Sequence, residues 1–175
     1  DTYPVSVTFN ADGSSMYILG YGSDTVYQYS LATSWDVSTA SYATKSFDVS
    51  SQDTYPVSVT FNADGSSMYI VGISSGTVYQ YSLATAWDVS TASYATKSFA
   101  VSSQDSTPYS VTFNADGSSM YILGAYSDTV YQYSLSTSWD VSTASYATKS
   151  FAVSSQEAWS YSVTFNADGS SMYIV

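Results

Sequence analysis

Histidine, cysteine and arginine are all absent from this chain of 175 residues, and the only bases are Lys45, Lys97 and Lys149. Without cysteine there is no disulfide framework and no thiolate chemistry. Without histidine the plentiful serines have no imidazole to activate them. Glu157 is the one glutamate. Three lysines cannot neutralise a phosphate backbone, which sets aside nucleic acid as a partner. An anionic membrane surface is disfavoured for the same reason. No apolar run reaches 18 residues, so no transmembrane helix and no membrane insertion are expected. The chain opens on Asp1, with neither an initiator Met nor a signal peptide, which predicts a processed chain or a fragment.

What the chain does contain is acid and aromatic surface. The net charge is −11, and there are 19 Tyr, 7 Phe and 4 Trp. Aromatic, β-branched and hydroxyl residues favour strands over helices, and no stretch keeps an apolar period of 3.6.

The dominant feature is a repeat. "FNADGSSMYI" occurs at 9–18, 61–70, 113–122 and 165–174, and Trp35, Trp87 and Trp139 keep the same 52-residue step. The chain divides into repeats 1–52, 53–104 and 105–156, and 157–175 is the first half of a fourth. Each repeat reads as four short strands: "VSVTF" (5–9), "SMYILG" (15–20), "TVYQYSL" (25–31) and "YATKSFDV" (42–49). The "NADGS" between the first two is a hairpin turn, with Gly13 supplying a positive φ. A tandem four-stranded antiparallel unit of this length is the signature of a β-propeller blade. The predicted fold is therefore an all-β propeller of three blades plus half of a fourth, all one domain, with a stacked β-solenoid as its rival. A closed propeller needs at least four blades. The chain is therefore expected to belong to a longer array, or to need other copies of itself to close the ring.

The stretch "FNADGSSMYILG…DTVYQYSLATSWDVSTASY" resembles the tandem propeller repeats, of YVTN and WD40-like type, common in marine phage and bacterial sequences. The resemblance spans essentially the whole chain. It implies a surface or virion-associated binding or structural role rather than a reaction. The "NADG" turn departs from that family's Pro-containing turn without disturbing the hairpin.

Few residues suggest chemistry. Lys45, Lys97 and Lys149 recur once per blade on the predicted outer strand, which suits a solvated edge that discourages sheet pairing. Asp12, Asp64, Asp116 and Asp168 sit in the turns. Two oxygens spaced by two residues fall short of a calcium loop, so a turn role is expected and no metal. Asp36, Asp88 and Asp140 follow Trp and are expected to bond their own loop's amides, near Ser38 or Thr39 in the first copy. The stripes Tyr27/Tyr29, Tyr79/Tyr81 and Tyr131/Tyr133 are expected to fill the space between blades. No catalytic residue and no cofactor are predicted, and the chain is not expected to be an enzyme.

Differences between the copies are informative. Repeats 1–52 and 53–104 differ only at Leu19/Val71, Tyr21/Ile73, Gly22/Ser74, Asp24/Gly76, Ser34/Ala86 and Asp48/Ala100. Across all copies the changes gather in two links. One enters the first strand: "DTYPV", "DTYPV", "DSTPY", "EAWSY". The other joins second strand to third: "LGYGSD", "VGISSG", "LGAYSD". In an up-and-down blade both links emerge at one end, and the "NADGS" turn and the Trp loop at the other. The variable end carries Tyr3, Tyr21, Tyr55, Ile73, Tyr109, Tyr126, Trp159 and Tyr161. Aromatic anchors among small polar residues suit recognition. These eight are the candidate ligand-binding residues. The expected function is a non-enzymatic module that recognises a glycan or a surface protein. Its expected setting is extracellular or on a virion surface. A structural or symmetrised scaffold without a ligand is the alternative.

Overall fold

The computed structural model describes residue 1 and residues 3–175. Its strands are β1 (Pro4–Phe9), β2 (Ser15–Gly20), β3 (Thr25–Leu31) and β4 (Ala40–Asp48) in the first repeat. The second has β5 (Pro56–Phe61), β6 (Ser67–Gly72), β7 (Thr77–Leu83) and β8 (Ala92–Ala100). The third has β9 (Pro108–Phe113), β10 (Ser119–Gly124), β11 (Thr129–Leu135) and β12 (Ala144–Ala152), and the half repeat has β13 (Val163–Phe165) and β14 (Met172–Ile174). They form three four-stranded antiparallel sheets in sequential order and one two-stranded sheet. The first strands β1, β5, β9 and β13 lie beside one another and so line the inside of the arc. The fourth strands are outermost. This is a β-propeller arrangement of three blades and a half.

The core lies between blades rather than within them. Tyr17, Leu19, Val26 and Val49 of the first blade pack on Val59, Phe61, Met68, Ile70 and Tyr81 of the second. The same positions one repeat on form the next interface. A flat sheet has two faces, and each strand's alternating side chains feed one face into each interblade layer. Serine hydroxyls stitch the inner strands together. Ser6 Oγ accepts from the Val59 amide, and Ser58 and Ser110 accept likewise from Val111 and Val163, at 3.3 Å each.

The Trp loop holds neighbouring blades together. Asp36 caps a single 3-10 turn at Val37–Thr39 by accepting from the Ser38 amide at 3.0 Å, and Asp88 and Asp140 do the same for Ser90 and Ser142. The preceding Trp adopts a left-handed backbone in every copy, with φ of 66°, 65° and 64°. That geometry lets its amide bond the glycine carbonyl of the "NADGS" turn, Trp87 to Gly65 at 2.9 Å.

Three residues of the preceding blade then grip this turn. The Tyr17 hydroxyl donates to the Trp87 carbonyl at 2.8 Å. Gln28 Oε1 accepts from the Val89 amide at 3.2 Å. Lys45 Nζ pairs with Asp88 at 2.8 Å. Tyr69, Gln80 and Lys97 repeat all three bonds on Trp139, Val141 and Asp140. Lys45 and Lys97 are thus interblade ties, not the solvated edge guards expected from their period. Burial raises the Asp88 carboxyl, but the Lys45 ammonium and the Ser90 donors outweigh it, so the group sits below its usual range. Burial pushes the Tyr17 phenol up to about 12. Its contribution is therefore whole below the ordinary value of about 10 and is lost as pH rises through the folded value.

The turn glycines carry positive φ, 73°, 72°, 71° and 73° at Gly13, Gly65, Gly117 and Gly169. A Cβ at Gly65 would also run into the Trp87 ring, whereas at Gly169 nothing lies within 4 Å. Gly169→Ala should therefore cost only the left-handed backbone term, about 1 kcal/mol. Gly65→Ala should cost about 1–3 kcal/mol more for overpacking. Urea unfolding of the two variants measures the difference, and equal losses would mean that the Trp is not seated on the turn.

Candidate site at the variable end of the blades

Both variable links lie at the same end of the blades and are tied to each other. The Asp53 carboxylate, only 3% exposed, accepts from the Tyr55 amide at 2.7 Å. Its other oxygen accepts from the Ser75 amide and hydroxyl, at 2.9 and 2.6 Å. Asp105 holds Thr107 and Ser127 in the same way. The carboxylate lies so close to the backbone of the glycine ending the second strand, Gly72 or Gly124, that any Cβ there would collide with it. In the fourth copy Glu157 caps only its own link, accepting from the Ala158 and Trp159 amides.

A β-bulge sets the direction of the inner side chains. Pro56 pairs with Gly72 and Ser58 with Val71, which leaves Val57 as the extra residue. Val5 and Tyr109 are the extra residues of β1 and β9. A bulge re-aims a side chain out of the sheet's alternation. At these positions it delivers a cavity. Val5, Tyr21, Tyr55, Val57, Tyr109 and Tyr161 enclose about 310 Å³ at the variable end, beside the inner strands. A second cavity of the same volume shares Tyr109 and Tyr161 and adds Thr107, Ala125, Tyr126 and Trp159. Cavities of this size are at the lower end of those that hold small ligands.

Six of the eight residues singled out from sequence therefore line these two cavities. Tyr3 stands next to them, stacked on Tyr21 with centroids 5.1 Å apart. Tyr21 in turn stacks on Tyr55 at 4.6 Å. Tyr109 meets Tyr161 edge to face at 5.1 Å. Ile73 packs instead against the core between the second and third blades. Val5 and Val57 are not among the eight, although they share a column with Tyr109 and Tyr161. A comparison by column rather than by residue size would have found them. Burial raises the phenols of Tyr21 and Tyr109, and their neighbouring tyrosines, Tyr55 among them, push the same way. Both hydroxyls are protonated at neutral pH, as an ordinary phenol already is, and are available as hydrogen-bond donors. Among the described residues no cationic side chain lines either cavity. A larger cavity, of about 450 Å³, lies at the opposite end, between the third blade and the half-blade. Its walls are the "NADG" turns, so it belongs to the blade-packing surface.

No family model matches the chain, and no curated protein matches it in sequence. Solved structures do match in fold. A Bacteroides uniformis protein assigned as a 6-phosphogluconolactonase superposes with a TM-score of 0.68 at 12% identity, over 98% of this chain and 46% of that one. The periplasmic gluconolactonase of Pseudomonas aeruginosa gives 0.57 at 14% identity, over 98% and 42%. A β-propeller domain from Myceliophteria thermophila gives 0.58 at 9% identity, over 94% and 47%. This chain spans about half the length of these structures.

At these identities the likeness establishes the propeller fold and nothing finer. It also overturns the expectation of a non-enzymatic binding module. Propellers of this form are named as lactonases. The propeller fold therefore does not set a chain apart from catalysis. An exclusion by residue type equates catalysis with an activated nucleophile, paired carboxylates or a metal. Hydrogen-bond donors aimed at developing charge are a separate source of rate.

Two substitutions separate support from surface at this end. Asp53→Ala leaves two amides of tied links without their acceptor and should cost about 2 kcal/mol or more. Tyr126 is 82% exposed, and Tyr126→Ala should stay within about 0.5 kcal/mol of the parent. Urea midpoints of both variants decide this, and a neutral Asp53→Ala would show that the links hold their shape without the carboxylate.

Proposed function

We propose that the tyrosine-lined cavity takes an uncharged, carbohydrate-derived ester, a sugar lactone, and promotes its hydrolysis. The observation that carries this reading is the convergence of Tyr21, Tyr55, Tyr109 and Tyr161, from all four repeats, on one cavity without a cation. Aromatic faces suit the C–H faces of a sugar ring, and phenol hydroxyls suit its oxygens. A lactone is an ester whose leaving alkoxide stays tethered, so water can open it without a covalent enzyme intermediate. The demand on the protein is to hold the ring and to donate hydrogen bonds to the carbonyl oxygen as it gains charge. Tyr21 and Tyr109, whose phenols are protonated at neutral pH as any tyrosine's is, are the donors. The gluconolactonase names carried by propellers of this shape support the substrate class. The lysines lie on the outermost strands, with Lys45 and Lys97 tied to Trp turns at the opposite end. That placement favours the free lactone over its phosphate ester, whose recognition calls for Arg or Lys. The acidic, arginine-free composition and the resemblance to phage and bacterial repeats support a setting outside the cell or on a virion surface.

Proton release from glucono-δ-lactone, followed in a pH-stat, tests the proposal. The protein should accelerate release over buffer and act at least about tenfold less well on the 6-phosphate. Tyr21→Phe and Tyr109→Phe should each lower the rate by about a hundredfold, the usual effect of removing one oxyanion donor, with folding retained. A rate equal to buffer, or one unchanged in both variants, would overturn it.

A further inference from the structure

The second cavity exists because of one column of the repeat. In the link from second strand to third, that column reads Tyr21, Ile73, Ala125. It abuts the link entering the next blade, whose column reads Tyr55, Thr107, Trp159. At the first junction Tyr21 stacks on Tyr55, with centroids 4.6 Å apart. At the second, Ile73 packs into the core between the blades. At the third, the methyl group of Ala125 is too short to meet Trp159 as one ring meets another, and a slot of about 310 Å³ separates the links. Both sides of the slot are braced. Asp105 accepts from the Thr107 amide at 2.7 Å and from the Ser127 amide at 2.9 Å. The Ala125 amide donates to the Thr107 carbonyl at 3.0 Å. Tyr126 therefore stands on backbone that is tied on either side of it, with its own ring in solvent. Opposite, Glu157 accepts from the Trp159 amide at 3.1 Å.

We infer that this slot is a second sugar subsite, and that the lactone taken by the first cavity carries a further pyranose ring, held between Trp159 and Tyr126. The inference rests on the reading of the first cavity as a lactone site. The two cavities have the same volume and share Tyr109 and Tyr161. A space that takes one sugar ring thus has a neighbour sized for one more, and two linked rings span them across a common wall. Among the described residues the lining of the slot carries no charge. Its polar side-chain groups are the Thr107 hydroxyl, the phenols and one indole N–H, and its apolar surface is mostly aromatic. Flat rings suit the C–H face of a pyranose, and neutral donors suit its hydroxyls. Aromatic side chains on braced backbone lose little freedom when a ligand arrives, so more of the contact appears as affinity. The substrate class is accordingly the lactone of an oxidised disaccharide or longer chain. A single sugar lactone fills one cavity only and forgoes the contacts that a remote ring adds to kcat/KM.

Proton release in a pH-stat tests this with three lactones: glucono-δ-lactone and the δ-lactones of cellobionic and gentiobionic acids, which carry a further glucose on O4 and O6. At least one disaccharide lactone should show a kcat/KM about tenfold or more above that of glucono-δ-lactone. Ala125→Tyr puts the first repeat's ring into the third junction and should cut that preference to about twofold or less. Trp159→Ala and Tyr126→Ala should each lower it by about threefold or more, with KM for the disaccharide lactone raised. Ala125→Tyr adds bulk, so it is read beside Tyr126→Ala, which only removes an exposed ring. Tyr21→Phe, in the first cavity, should slow all the lactones it acts on alike and leave the preference in place. Glucono-δ-lactone hydrolysed with no gain for either disaccharide lactone would overturn the inference and leave the lactone reading standing. So would a preference that survives all three changes at the slot. Hydrolysis of none of the lactones would overturn both.

Discussion

The grip on the Trp-Asp-Val turn is the interaction on which the rest of this structure depends. A blade of four short strands cannot bury both faces by itself. It becomes stable only as one layer between neighbours, and the layers must meet in register. The turn sets that register because its carbonyl, amide and carboxylate are met by three side chains from three different strands, Tyr17 on β2, Gln28 on β3 and Lys45 on β4. A slide of one residue would leave a buried carbonyl and a buried amide unpaired, which is more costly than the bonds are favourable. Each of these residues therefore serves two blades at once.

That double duty accounts for where the copies differ. The residues of the glycine turn and of the grip are the same in every copy that has them, and within the strands only a few positions differ, such as Leu19/Val71 and Asp48/Ala100. The changes fall mainly in the two links at the other end. There the shared framework is the Asp–Ser clamp, with Asp53 and Asp105 buried, while Glu157 in the last repeat caps only its own link. The clamp fixes the links and leaves the column at 5, 57, 109 and 161 free to be Val or Tyr. Small side chains on one side of the arc and large ones on the other turn a symmetrical scaffold into an asymmetric cavity. Support and variation are thus carried by different residues, an arrangement under which the surface at this end can change without endangering the fold.

Much of this was legible in the sequence, and the failures have physical causes. Strands 15–20 and 25–31 come from alternation bounded by Gly and Asp, and Gly13 marks the turn that leads into the first of them. The Asp36 bond to Ser38 follows from a short carboxylate two residues before an amide. The common end of the variable links follows from strand count alone. What stayed hidden depends on neighbours 43 to 70 residues away. Lys45 reads as an edge guard until Asp88 is placed beside it, and Tyr17 reads as filler until its hydroxyl finds the Trp87 carbonyl. The left-handed Trp35, and Thr44 at φ 58° in the bulge that precedes Lys45, run against residue preference and are held by tertiary contacts. Val5 and Val57 give no hint of a cavity wall, because the bulge that aims them is not written in their own side chains. The exclusion of catalysis failed differently. It rested on residue types missing from the inventory and gave no weight to phenols gathered on one cavity, which only the fold brings together.

Amide hydrogen exchange at three equivalent positions tests the grip most directly. The Val89 and Val141 amides donate to Gln28 and Gln80 of the preceding blade, while the Val37 amide, in the same capped turn, has no such partner among the described residues. Local sequence and turn geometry are common to the three, so any difference reports the interblade bond and the burial that accompanies it. The account predicts strong protection at Val89 and Val141 and exchange near that of an open turn at Val37. Equal exchange at all three would show that the turn is stabilised within its own blade and that the grip does not hold the propeller together.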